Sequence, residues 1–215
     1  LKFKYGDEYL VAATLRPETM FGQTNLWVNP KAKYVRVEVE GEHWILSEEA
    51  AEKLRYQKEN VILKEDVDAL KLIGKNVLAP GIERDIIILP ASFCDPNIGT
   101  GIVTSVPSDA PYDYLALKLL QQNAEECKKF GLVHADIRDI TPITIITTQG
   151  YSELPAKDVI DGLNITSFDD PRLEEENSKL YKAGHHVGIL KENCGKYAGK
   201  KAEEAKELIK AELLE

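Results

Sequence analysis

The chain has few cysteines and no long apolar run. Its 215 residues contain three cysteines, Cys94, Cys127 and Cys194, which are odd in number and form no Cys-x-x-Cys pair. We therefore expect no disulfide framework and a reducing, cytoplasmic compartment. No apolar stretch approaches the roughly 20 residues of a membrane-spanning helix, so we expect no membrane partner. The start at Leu1 lacks an initiator Met and the apolar region of a signal peptide, which predicts a piece of a longer protein.

Basic residues are also scarce relative to acidic ones. The chain has 27 Lys and Arg against 36 Asp and Glu, which gives a formal net charge of −9. Nucleic-acid backbones are held mainly by basic surface, so gripping one is not expected to be the main task of this chain. If RNA is the substrate, another part of the protein must supply most of the grip. This chain would then contact a short terminal stretch.

The arrangement of apolar residues predicts strands first and helices later. Residues 34–40 alternate, with three valines on one face, and a turn at Gly41 leads into a second strand. Ser47 has the position of an N-cap for a short helix. Further strands are predicted at residues 9–14, 25–28, 61–63, 85–89, 101–106 and 141–147. With 43% hydrophobic residues and no repeat, the pattern predicts one α+β domain around a mainly antiparallel, barrel-like sheet with peripheral helices.

Four helices are predicted in the second half of the chain. One runs from Pro111 to Phe130 and ends at Gly131. Another follows Asp170 as N-cap and ends at Gly184. The remaining two cover residues 155–163 and 202–214. Between them, residues 185–190 are predicted to form a strand. Adjacent strand side chains point to opposite faces, so His185 and His186 are not expected to bind a metal together.

The first segment that suggests chemistry is residues 12–25, Ala-Ala-Thr-Leu-Arg-Pro-Glu-Thr-Met-Phe-Gly-Gln-Thr-Asn. A strand is predicted to end at Thr14, and a turn with hydroxyl groups, an arginine and a proline follows. Such a turn could present hydroxyls and backbone N–H groups to a small polar ligand. Taken alone, it is equally a strand-ending turn with Arg16 solvated or paired to Glu18.

The second segment is residues 99–113, Gly-Thr-Gly-Ile-Val-Thr-Ser-Val-Pro-Ser-Asp-Ala-Pro-Tyr-Asp. Its two glycines allow a close approach of backbone or ligand. Ser108 or Asp109 is predicted to cap the helix that follows, which places Asp113 near the helix start, where the helix dipole favours a carboxylate. A fixed negative charge there suits an ammonium group. The alternative is an ordinary acidic residue of a first helical turn.

Together the two segments resemble the editing domain inserted into class I leucyl-tRNA synthetases, in the type found in the eukaryotic cytosol and in archaea. Thr-Leu-Arg-Pro-Glu-Thr at residues 14–19 is similar to the threonine-rich motif of that family. Related valyl enzymes usually have paired threonines where this chain has Thr14-Leu15. The resemblance covers the whole chain, 1–215, as a single editing domain. Residues 1–149 form the core that carries the site, and residues 150–215 are more variable.

The resemblance implies a role for each matching residue. Asp113 would hold the α-ammonium of a wrongly attached amino acid, and Thr19 would block a leucine side chain. Thr14 and Arg16 would belong to the turn around the reacting ester and the terminal adenosine. Thr104 and Ser105 would offer backbone groups to the substrate. Further substrate-binding candidates are Leu15, Gly99 and Gly101.

The implied activity is hydrolysis of mischarged tRNA(Leu), with the tRNA 3′ adenosine and the rest of a parent synthetase as partners. The His-Ile-Gly-His-type and Lys-Met-Ser-Lys-Ser-type signatures of amino-acid activation are not present in this sequence. We therefore expect no ATP use by the fragment, no cofactor, no metal and a monomeric state. Bacterial members carry His-Asp where this chain has Asp109-Ala110, so contacts of that pair cannot be transferred. Valyl or isoleucyl specificity, or a non-catalytic binding module, remain as alternatives.

Overall fold

A computed structural model describes residues 1–214, with side chains described as far as residue 213. The chain divides into two compact units. The sheet unit comprises Leu1–Leu15, Asn25–Thr104 and Lys128–Leu132. The helical unit comprises Arg16–Thr24, Ser105–Cys127 and the residues from Val133 onward. The division into a core through residue 149 and a variable part after it stays a prediction.

Nine strands make up the sheet. They are β1 (Lys2–Tyr5), β2 (Glu8–Val11), β3 (Asn25–Val28), β4 (Tyr34–Val39), β5 (Glu42–Ser47), β6 (Ile62–Val67), β7 (Asn76–Ala79), β8 (Arg84–Pro90) and β9 (Ile102–Ser105). Their order is β6-β4-β5-β2-β1-β7-β8-β3-β9. The pairs β2–β5 and β3–β8 are parallel. The predicted α+β class is confirmed, but the sheet is mixed and is not closed into the expected barrel.

The predicted alternation of β4 is the basis of the sheet unit's core. Val35, Val37 and Val39 are buried and pack with Leu46 of β5. The same cluster includes alanines of helix α1 (Glu48–Leu54). Ser47 caps α1 as predicted, because its hydroxyl accepts a hydrogen bond of 3.2 Å from the N–H of Ala50. A second short helix, α2 (Ala69–Leu72), also belongs to this unit.

Six helices and a two-stranded sheet follow later in the chain. The helices are α3 (Pro111–Gln122), α4 (Ala124–Lys129), α5 (His134–Arg138), α6 (Pro155–Gly162), α7 (Arg172–Val187) and α8 (Ala202–Leu214). Strands β10 (Ile146–Thr147) and β11 (Ile189–Leu190) form the small antiparallel sheet. In the helical unit, Leu115 of α3 packs with Ile160 and with Leu173 of α7. The strand predicted over residues 141–147 is much shorter than expected, because strand β10 covers Ile146–Thr147.

The single helix predicted from Pro111 to Phe130 is broken at Asn123. This residue has φ −121° and ψ 87°, outside the helical region. Its side-chain oxygen accepts a hydrogen bond of 2.9 Å from the N–H of Glu126. An Asn side chain that bonds to the backbone in this way starts a new helix and competes with continuation of the old one. The prediction of one continuous helix was wrong for this reason.

Helix α7 also differs from the prediction, because it continues through Gly184. The residue that follows its last turn is Gly188, with extended backbone at φ −69° and ψ 142°. A Cβ atom at Gly188 would lie 2.2 Å from the carbonyl oxygen of Gly184 and 2.5 Å from Cγ2 of Ile146. Only glycine fits so close to the preceding turn and to β10. Residues 185–187, predicted as strand, are therefore the end of a helix.

Two further predictions concern disulfides and membrane-spanning helices. Cys94, Cys127 and Cys194 are free and buried, which confirms that no disulfide joins them. Within residues 1–214, every helix is too short or too polar to cross a membrane.

Candidate functional site

The threonine-rich turn forms a short 3-10 helix over Pro17–Gly22. The carbonyl oxygen of Arg16 accepts two hydrogen bonds from Thr19, one of 3.0 Å from its N–H and one of 2.8 Å from its Oγ1. Thr19 is only 7% exposed. Its side chain is therefore held in one orientation, since both its backbone and its hydroxyl are fixed to the same oxygen.

Arg16 is largely removed from solvent, with its side chain 11% exposed. The Nε atom of Arg16 donates a hydrogen bond of 2.9 Å to Oε1 of Glu18, whose side chain is completely buried. The guanidinium carbon lies 4.8 Å from the ring centroid of Tyr181 on α7, a cation–π distance. Of the two simple alternatives for this residue, pairing with Glu18 is the one found. The cation is fixed by its neighbours within the helical unit.

Asp113 lies in the first turn of α3 and is 5% exposed. Its Oδ2 accepts a hydrogen bond of 2.8 Å from the backbone N–H of Val106. The predicted capping residues do not act as caps, because the N-cap position is held by Ala110 without a side-chain bond. Ser108 instead donates a hydrogen bond of 2.5 Å to Oδ2 of Asp109. The predicted cap was therefore wrong, whereas the position of Asp113 at the helix start is confirmed.

Asp109 is a buried acid that the sequence did not single out as a site residue. It is 5% exposed, and burial raises the pKa of its carboxyl above the usual value. The hydrogen bond from Ser108 and the charges of Arg16 and Lys191 act in the opposite direction, while Glu18 adds to the rise. Asp109 and Glu18 thus share the neighbourhood of one arginine. The sequence signal that could have indicated Asp109 is its position between Val106-Pro107 and Asp113 in the second motif.

The two motifs contact each other within the helical unit. The N–H of Thr24 donates a hydrogen bond of 3.1 Å to the carbonyl oxygen of Ser105. Gly22 packs against Val106, where an added Cβ would lie only 2.9 Å from Cγ1 of Val106. The structure therefore brings the turn that carries Thr19 against the backbone segment that orients Asp113. It also shows that the Ser105 carbonyl is already used inside the protein.

The other predicted site residues belong to the sheet unit. Leu15 is 79% exposed, whereas the hydroxyl oxygen of Thr104 is buried. Gly99 lies beside the end of the strand that leads to Thr14, since its added Cβ would be 3.1 Å from Cβ of Ala13. Gly101 is required for packing, because its added Cβ would be 2.7 Å from Cβ of Ser47. Their roles toward a substrate stay predictions.

The two adjacent histidines lie on α7 and have an acidic neighbour. Ligand atoms of His185, His186 and Glu203 lie within 4.8 Å of one another. The prediction that opposite faces of a strand separate the two histidines was therefore wrong, because both lie on a helix. His186 and Glu203 are more than half exposed and 3.9 Å apart, a distance typical of a surface ion pair.

Relatives of this chain include archaeal leucine–tRNA ligases. No family model matches the chain. A curated leucine–tRNA ligase of Methanothermobacter thermautotrophicus is 46% identical over 213 residues, covering 99% of this chain. That of Pyrococcus abyssi is 43% identical over 221 residues. The chain spans 23% of the length of each of these relatives.

Solved structures match over nearly the whole chain. The structure of GlLeuRS-CP1 is 33% identical, with a TM-score of 0.85, and the match covers 96% of this chain and 79% of that one. The chain belongs to the leucyl-tRNA synthetase editing-domain family. The editing domain of the Plasmodium falciparum cytosolic enzyme has a TM-score of 0.86 at 22% identity, which supports the editing-domain fold. The resemblance drawn from the two motifs is therefore confirmed.

Proposed function

We propose that this editing domain hydrolyses the ester between tRNA(Leu) and a wrongly attached amino acid such as isoleucine or norvaline, and spares leucine. The observation that carries the proposal is the contact between the two motifs through Gly22 and Val106. It joins the turn that holds Thr19 to the segment whose N–H orients the carboxylate of Asp113.

The physical need for such a site follows from how little two similar side chains differ. One methylene or branch point is worth only about 1–3 kcal/mol in a binding pocket, as in the handling of similar amino acids by synthetases. A second site that rejects leucine by shape supplies the missing discrimination. Thr19 suits that task because it is β-branched and its hydroxyl is tied to the carbonyl of Arg16.

Asp113 suits the opposite end of the amino acid. The hydrogen bond from the N–H of Val106 fixes the orientation of this carboxylate. Burial lowers the local dielectric and strengthens its attraction to an ammonium group. Asp113 would therefore hold the substrate in place, while Thr14 and Arg16 shape the turn around the ester.

Hydrolysis needs little further machinery, because an aminoacyl ester is already activated. A positioned water molecule, the neighbouring ribose hydroxyl and donors to the developing oxyanion could suffice. The proposal includes no cofactor, no metal and no ATP use by this chain. It places the domain in a cytoplasmic leucyl-tRNA synthetase, whose other parts bind the tRNA and deliver its terminal adenosine, and treats the isolated domain as a monomer.

A deacylation assay tests the proposal against the alternatives. Wild-type synthetase containing this domain is incubated with tRNA charged with isoleucine, norvaline, threonine or leucine, and the release of each amino acid is followed. We expect release of isoleucine and norvaline and protection of leucine. A preference for threonine would indicate valyl-type editing instead. Absence of hydrolysis with all four would leave a binding module.

A further inference from the structure

The role of α7 in the candidate site begins with the way it receives the guanidinium of Arg16. Tyr181 and Gly184 are three residues apart, so they lie on the same face of α7, one turn apart. The Tyr181 ring lies 4.8 Å from the guanidinium carbon. At Gly184, an added Cβ would be 3.3 Å from the nearer terminal nitrogen of Arg16. One turn of helix thus provides a ring and a gap for a single, partly buried cation.

The gap at Gly184 is a specific feature rather than loose packing. The helical backbone at Gly184 is one that any residue can adopt, because Gly184 is not among the glycines with positive φ. Glycine disfavours a helix interior relative to alanine, so this position gives up helix stability. What it gains is space, bounded by the guanidinium on one side and by Oγ1 of Thr148 on the other.

The position of Arg16 is passed directly to Thr19. The same residue whose side chain rests on α7 offers its carbonyl oxygen to both the N–H and the hydroxyl of Thr19. Glu18, between them, holds the guanidinium from the other end of the turn. A shift of the Arg16 side chain would therefore change the position of Thr19, because one short, hydrogen-bonded turn connects the two residues.

We infer that Tyr181 and Gly184 are positioning residues for specificity: they hold Arg16 and thereby fix Thr19 as the wall that excludes leucine. This inference rests on the proposed function. It gives the part of the chain after residue 150 a definite task in the site. Neither residue needs to touch the substrate, since both act through Arg16.

Three variants of the synthetase test the inference. Tyr181→Leu removes the aromatic face and keeps an apolar side chain, whereas Tyr181→Phe keeps the face and serves as its control. Gly184→Ala adds one methyl against the guanidinium. Its matched control is Gly162→Ala, the same change at the end of α6, where no atom lies within 4 Å of the added Cβ.

We expect Tyr181→Leu and Gly184→Ala to raise hydrolysis of leucyl-tRNA relative to isoleucyl-tRNA by about tenfold, the scale on which one methylene is discriminated. Both controls should keep the wild-type ratio. The melting temperature of Gly184→Ala should not fall, because alanine favours the helix. A merely structural role would change stability and leave the ratio unchanged. An unchanged ratio in both test variants would overturn the inference.

An NMR measurement on the chain separates failure of this inference from failure of the proposed function. The Nε–H signal of Arg16 reports its bond to Glu18. If the wild-type enzyme hydrolyses no mischarged tRNA, the proposed function fails. The positioning of Arg16 by α7 would still stand if Tyr181→Leu removes that signal by exposing the Nε–H to exchange with water and Tyr181→Phe preserves it. A signal that stays protected from exchange in Tyr181→Leu would refute it, whatever its chemical shift.

Discussion

The carboxylate of Asp113 accepts a hydrogen bond of 2.8 Å from the backbone N–H of Val106, seven residues earlier in the chain. The next residue, Pro107, has no N–H, so Val106 is the donor immediately before the proline. The bond ties Val106, the residue after β9, to the first turn of α3. Asp113 is thus both a buried charge and a structural acceptor, and these two roles can be separated by substitution.

Asp113→Asn and Asp113→Ala separate them. Both variants lose the negative charge that would hold the ammonium group, so both should hydrolyse isoleucyl-tRNA(Leu) on the order of a hundredfold more slowly or not at all. Leaving a buried charge without its partner costs about 2–5 kcal/mol. Single-turnover deacylation by the synthetase measures this loss.

The stability of the same two variants should differ. Asparagine can still accept the N–H of Val106, whereas alanine leaves that buried donor unpaired at a cost of about 1–3 kcal/mol. We expect both chains to fold, with urea unfolding showing the loss only in Asp113→Ala. Near-normal hydrolysis by Asp113→Asn would remove Asp113 from the proposed mechanism.

Thr19 can be dissected by shape and by hydroxyl. Thr19→Ala removes the branched side chain, so correctly charged leucyl-tRNA should become a substrate, with a gain of about tenfold or more. Thr19→Val keeps the shape and loses the bond to the Arg16 carbonyl, and it should still exclude leucine in part. Comparing leucyl-tRNA and isoleucyl-tRNA hydrolysis measures both effects. Leucine that stays protected in Thr19→Ala would place the wall elsewhere.

Two features of the candidate site followed from the sequence because each lies within one short segment. Residues 14–19 and 106–113 are short segments whose neighbours in the chain are also their neighbours in space. The pairing of Arg16 with Glu18, two residues apart, was among the alternatives for the same reason. The position of Asp113 at a helix start followed from the proline before it and from the length of the apolar pattern after it.

What the sequence could not predict depends on contacts between distant segments. Tyr181 lies far along the chain from Arg16, and no periodic pattern links an aromatic residue of α7 to an arginine in a turn. Glycine commonly ends a helix, yet α7 continues through Gly184 to Val187. It ends before Gly188, where packing on Ile146 leaves no room for a side chain. Helix breaks of this kind are set by tertiary packing, which overrides local propensity.

Asp109 provides a test through pH. Burial raises the pKa of its carboxyl above the ordinary value of 3.8, so the folded protein keeps a proton that the unfolded chain releases in the window above that value. Its contribution to stability is therefore fully present below pH 3.8 and is lost as pH rises through the raised pKa. Asp109→Asn is neutral at every pH and can still accept the hydrogen bond from Ser108.

The expected result is a melting-temperature difference that changes with pH in one direction. Relative to the wild-type chain, Asp109→Asn should gain stability as the pH is raised from about 4 to 7, because ionisation of the buried carboxyl destabilises only the wild-type chain. Other carboxylates are common to both chains and cancel in the difference. Differential scanning calorimetry at matched pH values measures it. A constant difference would mean that folding does not change the pKa of this carboxyl, and a difference that shrinks with pH would mean that the carboxyl is stabilised as an anion.

The negative charge of the chain limits its affinity for the proposed tRNA substrate. With 36 acidic and 27 basic residues, the isolated chain should bind tRNA(Leu) no better than non-specifically, with a dissociation constant of about 10⁻⁴–10⁻⁶ M or weaker. Since each phosphate contact adds to the salt dependence, the affinity of the isolated chain should also change little between about 50 and 200 mM salt, a range over which extensive backbone contacts lose much of their affinity. Fluorescence anisotropy of labelled tRNA measures both quantities.

The same titration on a leucyl-tRNA synthetase that contains this domain is the control. If other parts of the enzyme bind the tRNA body, the synthetase should bind more tightly and with a steeper salt dependence than the isolated chain. Editing by the isolated chain should accordingly be slow at low tRNA concentration and should become faster as the concentration rises. The reason is that weak binding of the tRNA, rather than a lack of reacting groups, would limit the rate. Equal affinity of the chain and the synthetase would contradict this division of labour, and it would mean that a surface of net charge −9 holds the tRNA by itself.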